Sequence, residues 1–233
     1  MKVVIMGASS GLGAELARLY RAAGCETGCA ARRTDLIGPC TVSAAIDVND
    51  PSAPARLDEL IGRLGGMDLY IHVAGIGYDN PALDPAREAA IAETDCVGFA
   101  RMVSAAFSWF ARSGRRGQIA AITSVAGTKG IGSMEAYSAS KRFDSTYLQG
   151  LRQRAVSARL PISITDIRPG WTRTPLLRPG VRYPLLMDPD RVARLIVRAI
   201  GRRRKVAVVD GSWAALCALW RLVPDCLWRR LRV

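Results

Sequence analysis

A glycine-rich turn near the start of the chain constrains its fold more than any other feature. Residues 7–13 (GASSGLG) follow the apolar run 3–6 (VVIM) and precede apolar positions at helical spacing, Leu12, Leu16, Leu19 and Tyr20. A short continuous apolar run is typical of a strand buried on both faces, and the three- and four-residue spacing is typical of a helix with one buried face. The order strand, turn and helix predicts the first unit of a parallel sheet.

The rest of the chain repeats this alternation. Predicted strands lie at 3–6, 25–31, 42–46, 69–73, 118–123, 162–167 and 206–209, and predicted helices at about 11–23, 53–64, 134–158 and 189–200, with two more between 81 and 112. This pattern predicts an α/β fold, a single-domain Rossmann-type doubly wound parallel sheet of about seven strands with helices on both faces. A length of 233 residues suits one such domain. We expect residues 1–210 to form it and residues 211–233 to be a helical extension.

The cysteine and histidine content argues against a metal site. The six cysteines include no C-x-x-C pair, and His72 is the only histidine. We therefore expect no metal, and thiols that are buried and reduced. The first strand begins almost at the first residue, which leaves no room for a signal peptide and predicts a cytoplasmic location.

The positive charge lies mostly at the end of the chain. Of a net charge of +13, residues 191–233 contribute +9, because eleven Arg or Lys are opposed by Asp210 and Asp225 alone. The sequence has no basic groove pattern with interleaved aromatic residues and no nucleic-acid motif. We therefore predict that nucleic acid is not a partner.

Three side chains have the types and spacing of acid–base chemistry. Tyr137 and Lys141 are four residues apart, so on a helix they project from one face. A phenol titrates near pH 10, about three units too high for neutral pH, and a nearby ammonium favours the phenolate. Ser124 ends the fifth predicted strand thirteen residues before Tyr137, and its hydroxyl can hydrogen-bond a substrate oxygen.

The chain resembles the classical short-chain dehydrogenase/reductase family over nearly all of residues 1–210. The resemblance lies in the order, spacing and context of the glycine turn, Ser124 and the Tyr137–Lys141 pair. The resemblance implies an oxidoreductase that exchanges hydride between a nicotinamide cofactor and a small-molecule carbonyl or alcohol. Tyr137 would exchange the proton, Ser124 would position the substrate oxygen, and Lys141 would tune the phenol and anchor the nicotinamide ribose. A homodimer or homotetramer is also implied.

The same resemblance implies a set of cofactor-binding residues. Glycines let the backbone approach a pyrophosphate, and the N–H groups at the start of the first helix favour its charge. Asp47 and Val48 resemble the family's adenine clamp, and Pro169 opens the turn that holds the nicotinamide. We expect contacts from Gly7, Ser9, Ser10, Gly11, Leu12, Gly13, Arg32, Arg33, Asp47, Val48, Ala74, Gly75, Tyr137, Lys141, Pro169, Gly170, Thr172 and Thr174.

Two arginines at the end of the second strand bear on the choice of nucleotide. An acidic residue there would accept hydrogen bonds from a ribose hydroxyl, whereas Arg32 and Arg33 can pair with a 2′-phosphate. The alternative is a solvated arginine pair at a strand end. Ser10 stands where NADP-preferring relatives often carry a second basic residue. We predict that NADP(H) is preferred and that NAD(H) is an alternative cofactor.

The chain departs from the family pattern at several positions. Asp95 occupies the place of an asparagine that orders a water beside the lysine, unless the alignment is out of register by one or two residues. An ionised aspartate there would raise the pKa of the Tyr137 phenol. His72 and Val73 replace two amides, with a structural role predicted for His72, and Met6 replaces a threonine. These departures keep a second interpretation open, a nucleotide-binding sensor or scaffold with weak chemistry or none.

The segment 175–189 is apolar and lies where the family has a lid over the substrate. It favours a hydrophobic aldehyde or ketone, while Arg178 or Arg182 can recognise an acidic group. Trp171, just before this segment, is either a wall of the substrate site or plain packing. With NADPH as the cofactor, reduction is the predicted direction.

Residues 213–232 are apolar, basic and rich in tryptophan. Their uninterrupted apolar part is too short to span a bilayer, and Pro224 divides them into two short helices. Two alternatives are open for this tail. One is peripheral contact with an anionic membrane at its inner face, with the tryptophans at the headgroup level. The other is packing over the substrate cleft or against a partner subunit.

Overall fold

Seven parallel strands form the sheet at the centre of the molecule. The computed structural model describes residues 1–77, 79–177 and 180–231. The strands are β1 (Lys2–Met6), β2 (Glu26–Ala31), β3 (Val42–Ala45), β4 (Leu69–His72), β5 (Gly117–Ile122), β6 (Ile162–Pro169) and β7 (Val206–Val209). Their order in the sheet is β3-β2-β1-β4-β5-β6-β7. The predicted doubly wound parallel sheet is confirmed.

Helices connect the strands and cover both faces of the sheet. They are α1 (Gly11–Ala22), α2 (Ala53–Leu64), α3 (Pro85–Ala92), α4 (Phe99–Ser113), α5 (Glu135–Ser157), α6 (Pro189–Gly201), α7 (Gly211–Leu222) and α8 (Asp225–Trp228). On one face, α2 and α5 bury Leu57 and Leu148 against the strands; on the other, α1 and α6 bury Leu16 and Ile196. Each of these side chains is fully buried, which stabilises the fold by about 1.5–3 kcal/mol per residue.

The direction of winding reverses between β1 and β4. Met6 at the end of β1 lies opposite Ala30 of β2 on one side and His72 of β4 on the other. The carbonyl oxygen of Met6 accepts hydrogen bonds from the backbone N–H groups of Val73 (2.8 Å) and Ala74 (3.0 Å). Because the connections leave β1 and β4 toward opposite faces, a crevice opens at the carboxyl ends of these strands, where such folds bind ligands.

The helix that follows the glycine turn, α1, starts differently from α3, α6 and α7. Asp84, Asp188 and Asp210 cap α3, α6 and α7, each accepting a hydrogen bond from a backbone N–H in the first turn. Helix α1 begins after Ser10, whose side chain makes no such bond, and its first turn contains no acidic residue. The first N–H groups of α1 are therefore left for another acceptor, which is the arrangement that binds anions.

A π-helical segment, Glu93–Gly98, separates α3 from α4. The predicted pair of helices between residues 81 and 112 is present, but the chain between them is more widely wound than an α-helix. Asp95 lies in this segment and is only 1 % exposed. Segments of this kind occur often at functional sites because they turn a side chain out of the ordinary helical register.

The cysteines are less buried than we expected. All six carry free thiols in the described residues, but only Cys29 and Cys217 are buried, while Cys226 is exposed. Cys226 lies on the exposed side of the short helix α8. None of the helices in the described ranges combines the length and the apolar character needed to cross a bilayer.

Candidate active site

A cleft of about 630 Å³ lies at the carboxyl ends of the strands. It extends from the glycine turn and the end of β2 to α5 and the tail. Most of the predicted site residues line it: Gly7, Ser9, Ser10, Gly11, Leu12, Arg32, Arg33, Asp47, Val48, Ala74, Gly75, Asp95, Ser124, Tyr137, Lys141, Pro169, Gly170, Thr172 and Thr174. The fold therefore brings together residues from one end of the sequence to the other.

The glycine turn is held tightly between β2 and β4. The N–H groups of Gly7 and Ala8 donate to the carbonyl oxygen of Ala30, at 2.7 and 3.1 Å. Gly7 has a φ of +94°, and a Cβ there would lie 2.6 Å from the backbone nitrogen of Ala74. Gly13 does not line the cleft, contrary to our expectation: a side chain at Gly13 would overlap the carbonyl oxygen of Gly7. Its role is to let the helix pack on the turn.

One end of the cleft carries exposed positive charge. Arg32 and Arg33 follow β2 and lie at the surface beside the glycine turn. On the other side of the turn are the free N–H groups of α1. Asp47 lies in the same part of the cleft, where one carboxylate oxygen accepts the backbone N–H of Asn49 at 3.0 Å. This end has the charge and the free donors to bind an anionic ligand.

Tyr137 and Ser124 meet in the middle of the cleft. Ser124 follows β5, and its Oγ accepts the backbone N–H of Ala126 at 3.0 Å. The Ser124 hydroxyl also lies close enough to Tyr137 to lower the pKa of its phenol. Tyr137 lies in the first turn of α5 and is 9 % exposed. The two hydroxyls thus lie next to each other at the floor of the cleft.

Lys141 lies one turn further along α5, between two carboxylates. Its Nζ is 5.6 Å from the centre of the Tyr137 ring. The same nitrogen is 2.7 Å from Oδ2 of Asp95 and 3.2 Å from Oδ2 of Asp144. The other oxygen of Asp95 accepts the backbone N–H of Ile76 at 2.8 Å. The lysine side chain is 7 % exposed and both carboxylate side chains are fully buried.

These surroundings set the charges of the site. Burial raises the pKa of the Tyr137 phenol above its ordinary value; Lys141 and Ser124 lower it, while Asp95 and Asp144 raise it again. The expected influence of Lys141 is present, but burial outweighs it. Burial alone would lower the pKa of Lys141, yet the two carboxylates raise it, so the lysine is an ammonium at neutral pH.

His72 lies behind the cleft and does not line it. It is fully buried, and its Nδ1 lies 3.0 Å from the hydroxyl of Tyr70. Burial, with the charge of Lys141, lowers the pKa of His72 to about 3. The imidazole is therefore neutral at any ordinary pH, and its surroundings agree with the predicted structural role.

The turn after β6 forms the opposite wall. Thr172 Oγ1 donates to the carbonyl oxygen of Gly170 at 3.0 Å, and a bridge between Thr172 and Met187 closes the base of the loop. The indole of Trp213 lies directly against Gly170, where any side chain would overlap it. Thr174 lies beside Gly11, 3.3 Å from the position of a Cβ there.

The comparison with protein families agrees with this geometry. A family model described as short chain dehydrogenase matches residues 1–182. The chain belongs to the short chain dehydrogenase family. Members of this family are oxidoreductases.

Relatives resemble the chain over its full length. An uncharacterized oxidoreductase of Mycobacterium tuberculosis is 33 % identical over an alignment of 247 positions, which covers 98 % of this chain and 96 % of the relative. Among solved structures, a short chain dehydrogenase from Burkholderia cenocepacia in complex with NADP has a TM-score of 0.85 at 21 % identity, covering 100 % of this chain and 97 % of that one. A 3-ketoacyl-(acyl-carrier-protein) reductase from Brucella melitensis complexed with NADH has a TM-score of 0.79 at 21 % identity, covering 91 % and 98 %.

In this short chain dehydrogenase, the tail forms part of the cleft. Trp213, Leu216 and Trp220 of α7 line it. The tail is attached further on, where the backbone carbonyl of Val223 accepts from Lys129 Nζ at 2.8 Å. Trp228 also donates its indole N–H to the carbonyl oxygen of Gly130 at 2.7 Å. The predicted hinge at Pro224 and the packing over the cleft are observed.

The tryptophans of the tail pack against one another, contrary to the membrane alternative, which places them at the headgroup level. Trp213 and Trp228 are buried, and their rings form edge contacts with Trp220 between them. Trp171 likewise lines the cleft and contacts the ring of Tyr183 in the loop. Of the two arginines in the loop, Arg182 lines the cleft, and Arg178 lies outside the described residues.

Sequence reasoning missed Asp144. The available signal was its spacing, since a residue three positions after Lys141 on a helix shares its face. It also missed the contribution of Leu216 and Trp220 to the cleft wall. No motif of the short chain dehydrogenase family identifies these positions; a helical projection of α7 from Trp213 would have placed both residues on one face.

Proposed function

We propose that this chain is an NADP(H)-dependent carbonyl reductase acting on a hydrophobic aldehyde or ketone. The observation that carries the proposal is the meeting of Ser124, Tyr137 and Lys141 in one cleft, directly beside the glycine turn. Each side chain comes from a different stretch of sequence or a different helical turn. Membership of a family of oxidoreductases supports this interpretation.

The residues of the cleft fit a nicotinamide dinucleotide. The absence of a Cβ at Gly7 keeps the backbone of the turn close to Ala74, and the uncapped start of α1 has free donors for a pyrophosphate. We assign the phosphates to the turn at residues 7–12, the adenine to Asp47 and Val48, and the nicotinamide to the turn at residues 169–174. When bound, the reduced nicotinamide supplies hydride to the substrate carbon. Similar folds have been solved with NADP and with NADH.

The preference for NADP(H) rests on Arg32 and Arg33. Their guanidinium groups are exposed and lie beside the turn, where a 2′-phosphate would extend from the adenosine ribose. A charge-assisted hydrogen bond from arginine to phosphate is stronger than one from a neutral donor. NAD(H), which lacks this phosphate, remains an alternative because Ser10 supplies no second positive charge in the glycine turn.

We assign the proton to Tyr137. Ser124 would donate a hydrogen bond to the substrate oxygen and hold it next to the phenol, which then gives its proton to that oxygen. The ammonium of Lys141 favours the phenolate that is left. Burial of all three side chains strengthens these electrostatic effects, because little water is present to screen them.

The walls of the cleft support an apolar substrate. Four aromatic side chains, Trp171, Tyr183, Trp213 and Trp220, line the part of the cleft that lies beyond the turn after β6. Sites with such walls hold mainly apolar ligands and use a few polar groups for orientation. Arg182 provides one positive charge for an acidic group on the substrate.

The test follows the oxidation of NADPH and, in parallel, NADH by purified protein with a panel of aldehydes and ketones of increasing apolar size. The matched control is Tyr137→Phe, which keeps the ring and removes the hydroxyl. Turnover that falls by about 10²–10⁴ in the variant supports the proposal. Tight nucleotide binding without turnover of any carbonyl contradicts it.

A second candidate is a nucleotide-binding sensor or scaffold. It is favoured by the two carboxylates at Lys141, which oppose its effect on Tyr137. This candidate predicts that NADPH binds and that Tyr137→Phe changes nothing measurable. The same experiment therefore distinguishes it from the reductase.

We also propose peripheral membrane contact through the outer face of α7. Leu219 and Leu222 are 59 % and 78 % exposed, and Arg221 lies beside them at the surface. An apolar face with adjacent arginines suits an anionic lipid surface. Sedimentation with phosphatidylserine vesicles tests this: Leu219→Glu with Leu222→Glu should abolish it. The control Val156→Glu, at an exposed position away from the tail, should not. Equal sedimentation of both variants contradicts membrane contact.

Three further assignments stay proposals, and the first of them follows from the family resemblance. We propose a homodimer or homotetramer, a cytoplasmic location, and a catalytic domain at residues 1–210 that the extension 211–233 completes. Light scattering of the purified protein tests the first: a monomer at micromolar concentration contradicts it.

A further inference from the structure

We propose that Asp144 is a positioning residue that acts through Lys141 to keep Tyr137 protonated, and so favours carbonyl reduction over alcohol oxidation. The inference rests on the proposed function. It adds a residue to the site and gives the reaction a preferred direction.

The placement of Asp144 is unusual for a carboxylate. Its side chain is fully buried in α5, with Oδ2 at 3.2 Å from Lys141 Nζ. The other oxygen, Oδ1, is buried and has no hydrogen-bond partner among the described residues. Burying a carboxylate with an unpaired oxygen is unfavourable, and an apolar residue of similar volume would be at least as stable. Packing therefore does not account for an aspartate at this position.

The charges around Lys141 do not balance. One ammonium faces two carboxylates, because Asp95 from the π-helical segment approaches it to 2.7 Å and Asp144 to 3.2 Å. Burial, together with the neighbouring charge of Asp95, raises the pKa of Asp144 to about 7, although Lys141 opposes this. Asp144 therefore gains its negative charge near neutral pH. When it does, it weakens the effect of the ammonium on Tyr137.

Other groups face this cluster from the elements around it. Asp166 of β6 adds to the negative charge that Asp144 experiences. Its own carboxylate is paired with Arg168 at 2.6 Å. Cys96, in the π-helical segment, has its pKa raised to about 11 by burial and then by the two carboxylates, so it stays a neutral thiol. His72 of β4 is neutral as well. The variable charge near Lys141 is therefore that of Asp144.

The two directions of the reaction need different forms of Tyr137. In reduction, hydride adds to the carbonyl carbon, the C=O π electrons move to oxygen, and the phenol proton goes to that oxygen. In oxidation, the phenolate takes the proton of the alcohol as hydride leaves the carbon for the oxidised nicotinamide. A surplus negative charge beside Lys141 disfavours the phenolate. Wild-type protein therefore enters the reductive cycle with its proton in place, and lacks the base for oxidation at neutral pH.

The first test compares wild-type protein with Asp144→Asn. The pH profile of kcat for alcohol oxidation should move to lower pH by about one unit, which is about a tenfold gain at neutral pH. Reduction at pH 7 should change by less than about threefold, and KM should not follow kcat. The matched control is Asp58→Asn, which removes an exposed carboxylate paired with Arg112 and should leave both profiles unchanged.

A second measurement does not depend on turnover. Carbon-13 NMR of the aspartate carboxyls in the protein without nucleotide should contain one signal that titrates near pH 7 and is missing in Asp144→Asn. The absorbance of tyrosinate, taken as the difference from Tyr137→Phe, should appear at lower pH in the Asp144→Asn background. If Asp144→Asn does not fold, Asp144→Leu serves the same comparison.

Two results would overturn the inference. One is an oxidation profile that stays in place in Asp144→Asn; the other is a carboxyl of Asp144 that titrates at its ordinary value near pH 4. Asp144→Glu, which keeps the charge, should retain the wild-type profile, and a shift there also counts against the inference. If no substrate turns over in any variant, the proposed function fails, while the NMR and tyrosinate titrations still decide whether Asp144 controls Tyr137.

Discussion

Positive charge faces the cleft at two ends, and it does so in opposite ways. Arg32 and Arg33 are exposed at the end of β2, whereas Lys141 is buried in α5 between two carboxylates. Water and salt screen the arginines, so their effect is confined to a ligand that touches them. The lysine has no such screening, and a single proton gained or lost nearby changes its influence on Tyr137.

Positive charge therefore performs two different tasks in the cleft. At the exposed end it selects a ligand, and it can be read from the sequence because two arginines follow a predicted strand. At the buried end it controls a proton, and the outcome depends on which side chains the fold brings within about 3 Å. The following experiments test this contrast between the exposed arginines and the buried lysine.

Replacing Lys141 by methionine should cause the largest loss. It leaves Asp95 and Asp144 buried without a cation, which we expect to lower the free energy of unfolding by about 3–5 kcal/mol at pH 8. The loss should shrink as the pH falls and the carboxylates take up protons. Urea denaturation at several pH values measures it. Arg33→Ala is the matched exposed variant and should change stability by less than about 0.5 kcal/mol. Equal losses of stability in the two variants would contradict the difference between buried and exposed charge.

Asp144→Asn should stabilise the protein, and the gain should grow as the pH rises from about 4 to about 7. The folded-state pKa of Asp144, about 7, lies above the unfolded value of about 3.9. The folded state therefore holds the extra proton, and wild-type stability falls as the pH rises from about 4 to about 7. We expect a gain of about 4 kcal/mol for the variant at pH 8 and none near pH 4. Parallel urea-denaturation curves of stability against pH would contradict this.

Replacing both Arg32 and Arg33 by alanine should weaken NADPH binding about 10- to 100-fold, because a hydrogen bond between charged groups contributes about 1.5–3 kcal/mol. Binding of NADH should change by less than about threefold, since it lacks the phosphate. Fluorescence titration measures both. Equal losses for the two nucleotides would mean that the arginines do not contact a 2′-phosphate.

A change of ionic strength should produce the smallest difference between the two ends of the cleft. Raising ionic strength from about 0.05 to about 0.5 M should weaken NADPH binding a few-fold, because the Debye length falls well below 10 Å. The carboxyl titration of Asp144 should move by less than about 0.3 units over the same range, because the pair is buried. A titration of Asp144 that follows salt as strongly as NADPH binding would show that water reaches Lys141.

Much of the fold could be predicted from the sequence. β7 has the predicted bounds, and β2 differs by one residue at its start, because apolar runs bounded by turns define buried strands well. The glycine turn could also be predicted, because a tight turn with close backbone approach needs glycine. The π-helical winding of residues 93–98 and the burial of the Asp144 side chain could not be predicted. Both depend on packing between elements distant in sequence.

The tail illustrates the same limit. Its composition favoured membrane contact and packing equally, because tryptophan and leucine bury their surface in either environment. The space at Gly170 accommodates the inward-facing indole of Trp213, whose N–H donates to the carbonyl oxygen of Leu185 at 3.2 Å. A missing side chain in one element therefore determines the course of another that lies more than forty residues later.

The π-helical segment has a consequence for how such a site can change. A π-helical turn contains more residues than an α-helical turn, so deleting one residue between 93 and 98 would let the segment wind as an α-helix and change the direction of its side chains. Asp95 would then leave Lys141, although no residue that contacts the ammonium had been substituted. Insertions and deletions in this segment therefore change the acidity of Tyr137. A comparison of residue identities alone would not reveal this route of variation.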